Sequence, residues 1–175
     1  MLRLPEYDSF KVVEWQDKHI PTSELADDGF ERMPHCTVAF GFVPGVEAAE
    51  VFDAAMKITA GQPIQFGLGT ISRFDTNEKY DVIKVDVISE MLTSVHYALR
   101  EVFGDKLEVT YDDFKPHMTL AYVRKGALKE LDGNDSFYGQ LFNGIDLIFS
   151  SPDHSDKEEF VLEPISEAVR RLSGR

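Results

Sequence analysis

Apolar positions along this chain fall into short alternating runs, interrupted by two stretches of helical spacing. Residues 47–60 place Val51, Phe52, Ala55 and Ile58 on one side of a helix, the three-to-four-residue recurrence of a half-buried helical face. Gly61 follows as a residue that ends it. A second helix is predicted from its N-cap, Ser89, through Phe103, with Leu92, Val95, Leu99 and Val102 as its apolar stripe and Gly104 beyond its end. Between the two, residues 64–74 and 79–88 alternate apolar and polar side chains like the strands of a hairpin, joined through Asp75-Thr76-Asn77-Glu78. Further strands are predicted at 10–15, 35–43 (stopped by Pro44-Gly45), 107–110 and 117–123, with a last hairpin of 144–149 and 159–162 across a polar loop at 150–157. The acidic stretch 17–33 reads as a loop, 127–131 as a short helical piece and 165–172 as a terminal helix.

This order repeats itself. Each half reads as a strand, a helix and paired strands, and each opening strand carries the same short motif. The copies are Pro34-His35-Cys36-Thr37-Val38-Ala39-Phe40 and Pro116-His117-Met118-Thr119-Leu120-Ala121-Tyr122, whose histidines lie 82 residues apart in a chain of 175. They agree at Pro, His, Thr and Ala. One strand histidine is ordinarily a hydrogen-bonded structural residue, but two copies half a chain apart point to joint use. Because side chains alternate across a strand, His35, Thr37 and Ala39 share one face, as do His117, Thr119 and Ala121. Cys36, Val38 and Phe40, and Met118, Leu120 and Tyr122, face the other way, against the helical layer. His and Thr beside a small Ala describe the wall of a cleft, and Tyr122 is expected to point away from it. With helices on one side of antiparallel sheet, the architecture is α+β, built from a duplicated unit. No linker rich in Pro, Gly or Ser separates the halves, so residues 1–175 are expected to form a single two-lobed domain.

Composition narrows the function. At 43% hydrophobic, with 13 Phe and 6 Tyr spread along it, the chain has material for a real core. It carries 18 Lys and Arg against 31 Asp and Glu, a formal net charge of −13, and no basic cluster longer than Arg170-Arg171. Gripping long nucleic acid requires a basic track that displaces many counterions, so a small nucleotide with few phosphates is the favoured partner. No apolar run is long enough to span a bilayer, and residues 1–6 have no signal-peptide pattern, so no membrane partner and a cytoplasmic location are expected. The single Cys36 excludes an internal disulfide and a multi-cysteine zinc site. No H-x-H or helical His pair with a Glu is present either, so neither a metal nor another cofactor is expected. Gly67-Leu68-Gly69 sits inside a predicted strand and leads into no helix, so it is no phosphate loop.

Two imidazoles and two hydroxyls facing one another suit phosphodiester chemistry. One histidine takes a proton while the other gives one, and the threonines hold non-bridging oxygens. The residues His35-Cys36-Thr37-Val38 and His117-Met118-Thr119-Leu120 resemble the paired H-x-[ST]-x signature of the two-histidine phosphoesterase superfamily, which includes LigT-like RNA ligases and cyclic phosphodiesterases. That resemblance covers roughly residues 10–163. It implies a duplicated fold with antiparallel sheets around a central groove and helices outside, and catalysis by His35, Thr37, His117 and Thr119 without metal. The run Asp28-Gly29-Phe30-Glu31-Arg32-Met33-Pro34-His35 with Val38-Ala39-Phe40-Gly41-Phe42 is similar to a phage-associated branch, some members of which degrade cyclic oligonucleotide signals of bacterial immunity.

Further substrate contacts are expected from Lys115, two residues before His117, with Arg32 and Arg73 as weaker candidates for the phosphate. Trp15, Phe74 and Tyr80 are candidates to stack a base at the rim, although aromatics ordinarily pack in the core. His19 and His154 fall in predicted polar loops and His96 lies beside a helical stripe, so none is assigned a role. Three functional readings follow: a phosphodiesterase for cyclic di- or oligonucleotides, an RNA-end enzyme acting on 2′,3′-cyclic phosphates or 2′-5′ linkages, and a catalytically silent nucleotide-binding module.

Overall fold

The alternating runs assemble into one antiparallel sheet. In the computed structural model, which describes residues 1–108, 113–150 and 157–162, the strands are β1 (Leu2–Arg3), β2 (Leu25–Phe30), β3 (His35–Cys36), β4 (Ile64–Phe74), β5 (Tyr80–Ile88), β6 (His117–Arg124), β7 (Leu141–Gly144), β8 (Asp146–Ser150) and β9 (Lys157–Val161). Their order is β7-β4-β5-β6-β3-β1-β8-β9, with β2 paired to the far end of β6. The midline falls between β6 and β3, so four strands lie on each side and the two motif strands are neighbours. The helices are α1 (Glu6–His19), α2 (Ala48–Thr59) and α3 (Glu90–Phe103). They bury Val12, Val51, Phe52, Ala55, Leu92, Val95 and Leu99 together with Cys36, Val85, Met118 and Leu120 of the sheet. The duplicated α+β architecture expected from the sequence is therefore present. No helix of the described residues is long and apolar enough to cross a membrane.

Both central helices are as the pattern predicts, and Ser89 Oγ accepts the Leu92 N–H at 3.0 Å as the N-cap of α3. Its stripe ends differently: Val102 is 61% exposed and Phe103 is the buried residue. Residues 10–15 are helix rather than strand. Their apolar run is too short to separate the two periods, but Val12, Trp15 and Gln16 are buried at helical spacing while Phe10 stays exposed. The stretch 17–33 holds the end of α1 and β2 rather than a loop throughout. The first motif strand stops at Cys36. The chain then turns at Gly41 (φ +90), where an added Cβ would lie 2.9 Å from the Glu108 carbonyl, and Phe40 is left exposed rather than packed on the helices. Phe42 and Leu107 form an isolated bridge, and residues 109–110 of the strand predicted at 107–110 lie outside the described residues. Residues 141–144 form β7, which the pattern missed, and β8 begins at Asp146. The predicted terminal helix at 165–172 lies outside the described residues.

One irregularity changes the site. Lys84 pairs with Thr119 but Ile83 pairs with Ala121, so β6 carries an extra residue there, a β-bulge. Leu120 and Ala121 are both buried as a result. The Leu120 carbonyl is taken up by the wholly buried Gln16 amide at 2.8 Å and by the Glu31 N–H at 3.0 Å. Beyond the bulge the parity of the strand is reversed. Tyr122, opposite Val82, therefore lies on the face of His117 and Thr119, contrary to the sequence expectation.

Candidate active site

The geometry begins at the midline. Cys36 and Met118, the middle residues of the two motifs, are cross-strand partners and both are buried. Their strand neighbours His35, His117 and Thr119 are partly exposed and share the opposite face, and Thr37, the first residue after β3, is partly exposed as well. Carried one residue back along β3, the antiparallel register sets His35 across from Thr119, and Thr37 follows directly after the end of β3. The structure thus brings His35, His117 and Thr119 together over the junction of the two halves, with Thr37 next to them in the chain.

The histidines are held in the same way in both halves. His35 Nδ1 lies 2.7 Å from the Met33 carbonyl and His117 Nδ1 lies 2.7 Å from the Lys115 carbonyl. A carbonyl only accepts, so each Nδ1 carries the proton and Nε2 is the nitrogen that exchanges one. The repeated prolines explain this match. Pro34 and Pro116 each stand between the histidine and the carbonyl that orients it, with φ fixed by the ring. Their own carbonyls accept from the adjacent strands, Pro34 from Leu4 N at 3.2 Å and Pro116 from Val87 N at 3.0 Å.

The surroundings of the histidines differ. Arg3 lies across from His35 and is ion-paired to Glu159 at 3.0 Å and Asp146 at 3.6 Å. Asp86 lies across from His117, and the ring of Phe74 meets His117 edge-on at 4.8 Å. Burial holds His117 below the ordinary histidine range. The nearby Lys84 and His35 push the same way, against the Lys115 carbonyl and Asp86.

The remaining sequence candidates separate clearly. Phe74 stands beside His117. Tyr80 meets Tyr122 edge-on at 5.5 Å, at the far end of the same face. Trp15 is not at the rim: it is buried in the helical layer, stacked on His19 at 4.5 Å. Lys115 contributes its backbone carbonyl, and its side chain is exposed. Arg32 pairs with Asp17 at 2.7 Å and covers Phe30. Arg73 is withdrawn from phosphate duty, since its guanidinium binds Asp81, Asp132 and the carbonyls of Ala127 and Leu128. His96 ties α3 to the Val38 carbonyl at 2.6 Å and stacks on Phe114, a structural role. His154 lies outside the described residues. Sequence reading missed Ser72, Lys84 and Asp86, which alternation places among the ordinary polar positions of the hairpin.

Cys36 also sits at the midline, but on the core side. Burial pushes its thiol up to about 12, and a thiolate is the reactive form. Native protein at neutral pH should therefore resist a thiol reagent over the time in which denatured protein reacts fully, as measured by absorbance of the released chromophore. Rapid native labelling would place Cys36 at the surface.

Comparison with known proteins bears on the family and the fold. The sequence pattern of the 2′-5′ RNA ligase superfamily matches residues 8–132, a span that includes both motifs. Among solved structures, TT0787 of Thermus thermophilus superposes with a TM-score of 0.65 at 21% identity, over 92% of this chain and 94% of that one, which shows a shared fold. No curated protein matches the chain significantly.

Proposed function

Because the chain belongs to the 2′-5′ RNA ligase superfamily, whose activity is phosphodiester chemistry, we propose that it is a metal-independent phosphodiesterase for small nucleotides, with cyclic di- and oligonucleotides as the favoured substrates. The observation that carries this reading is the matched pair of histidines, each with Nδ1 bound to the carbonyl two residues back. In a ribose substrate one neutral imidazole removes the proton of the 2′-hydroxyl, whose oxygen bonds to phosphorus. As the P–O5′ bond breaks, the second, protonated imidazole donates to the departing oxygen. The products are a 2′,3′-cyclic phosphate and a 5′-hydroxyl, and the same pair then directs water at the cyclic ester. Thr37 and Thr119 hydrogen-bond the non-bridging oxygens as charge develops on them. The acidic composition supports a substrate with few phosphates.

Two titrating histidines in opposite protonation states require a bell-shaped dependence of kcat/KM on pH. A rate that lacks either limb contradicts the pairing. The family match supports a second substrate class, RNA ends with 2′,3′-cyclic phosphates or 2′-5′ linkages, on which the same histidine pair would activate water or the 3′-hydroxyl, respectively. Chromatography of products from cyclic dinucleotides, cyclic trinucleotides, 2′,3′-cyclic AMP and a 2′-5′ dinucleotide separates the two. Binding of these ligands without turnover would instead identify a silent nucleotide-binding module.

A further inference from the structure

A buried cation beside His117 has no part in the proton transfers described above. The Lys84 side chain is 7% exposed, and its ammonium lies 2.5 Å from Asp86 Oδ1 and 2.6 Å from Ser72 Oγ. Ser72 Oγ donates to the same carboxylate oxygen at 2.7 Å, which closes a three-membered cluster. Lys84 also lies 4.6 Å above the ring of Phe74, the ring that touches His117 edge-on. The register makes the relation direct: on β5, Lys84 faces Thr119 and Asp86 faces His117. In the other half the residue facing His35 is Arg3, which is 31% exposed and paired to Glu159 and Asp146. Taking an ammonium out of water is costly, and a buried ion pair is poor evidence of net stabilisation, so an ammonium this deeply buried beside His117 calls for another account.

The charged groups around His117 give one. β5 presents Asp86 and Lys84, β3 presents His35, and β4 presents the uncharged Ser72 and Phe74. Its own strand contributes Thr119, and the Lys115 carbonyl holds Nδ1. An uncompensated carboxylate directly across from an imidazole stabilises the imidazolium and would make His117 an acid. Lys84 and Ser72 hold the Asp86 carboxylate below the usual range despite its burial, and the ammonium offsets the pull that this carboxylate exerts on His117. We infer that Lys84, clamped by Asp86 and Ser72, is a positioning residue that keeps His117 neutral, making it the general base and leaving His35 as the acid. The inference rests on the paired-histidine reading. The 2′-hydroxyl proton passes to His117 Nε2 as the O2′–P bond forms, and the P–O5′ bond breaks as His35 Nε2 protonates O5′.

The test is an NMR titration of the His117 imidazole in the full chain, without substrate, so that its outcome does not depend on any activity being found. In Lys84→Met the unpaired Asp86 raises the ratio of protonated to neutral His117 at neutral pH about tenfold. In Asp86→Asn the uncompensated ammonium lowers that ratio, and the double variant returns it toward wild type. On a cleaved substrate, the acid limb of kcat/KM moves to higher pH in Lys84→Met together with the titration. An unchanged His117 titration in either single variant overturns the inference. So does an acid limb that stays in place while His117 moves, since the base is then another group.

Discussion

Alanine at either His35 or His117 lowers turnover about a thousandfold, within the range removed with a single general acid or base. The double variant is hardly slower than either single one, because residues that act as a unit do not contribute additively. Replacing Thr37 or Thr119 by valine keeps the shape but removes a donor to the phosphoryl oxygens, and costs about a hundredfold. The thermal midpoint should move by only a few degrees in each case. All four side chains are partly exposed, and the two strands remain joined through Cys36 and Met118. Steady-state rates beside thermal unfolding of each variant check this. Rates that fall only in proportion to lost folded protein would make the histidines structural.

The largest loss of stability is expected on the opposite face, at Arg73→Met. Arg73 is 10% exposed and Asp81 2% exposed, at 3.1 Å from one another. The same guanidinium binds Asp132 at 2.7 Å and the carbonyls of Ala127 and Leu128, so it fastens the segment after β6 to the hairpin. Removing one partner of a buried pair typically costs about 3–5 kcal/mol, because the other charge stays behind. Asp81 keeps Lys125 at 2.9 Å and the Gly126 N–H, which places the expected loss at the lower end, about 3 kcal/mol. By contrast, Lys106→Met breaks an exposed pair with Glu50 and should cost less than about 1 kcal/mol. Urea unfolding of both variants measures the difference. The pH dependence has a definite sign: the bonds from Lys125, Gly126 and Arg73 outweigh burial and hold Asp81 below the usual carboxylate range in the folded state. Its contribution is therefore complete above about pH 4 and is lost as pH falls through the lowered value. The gap between wild type and Arg73→Met should narrow in acid.

What was legible in the sequence was local or repeated. Ser89, the stripe of Leu92, Val95 and Leu99, and the hairpin of β4 and β5 depend on neighbours a few residues away, and they form as the periodicity requires. The two motifs were legible because alternation alone places His and Thr on one face. The rest depends on distant partners. The bulge that turns Tyr122 toward the site exists where Gln16, 104 residues earlier, satisfies the Leu120 carbonyl. Lys84 read as one more polar residue in a strand until the register set it against Ser72, Asp86 and Thr119. Arg73 looked available for phosphate because nothing in its vicinity announces Asp132. The prolines were visible as repeated letters, but their reason, a carbonyl returned to each imidazole, appears only in three dimensions. The helix α1 was misread for the opposite reason: residues 10–15 satisfy both periods, and burial by the sheet decides between them.

The central claim is that two histidines cleave a nucleotide phosphodiester without metal. It is tested most directly by following the products of a 3′-5′ cyclic dinucleotide, a cyclic trinucleotide, 2′,3′-cyclic AMP and a 2′-5′ dinucleotide by chromatography in EDTA, with wild type beside His35→Ala and His117→Ala. The account predicts turnover of at least one substrate that survives EDTA and disappears in both variants. Turnover that persists in either variant, or that EDTA abolishes, would contradict it.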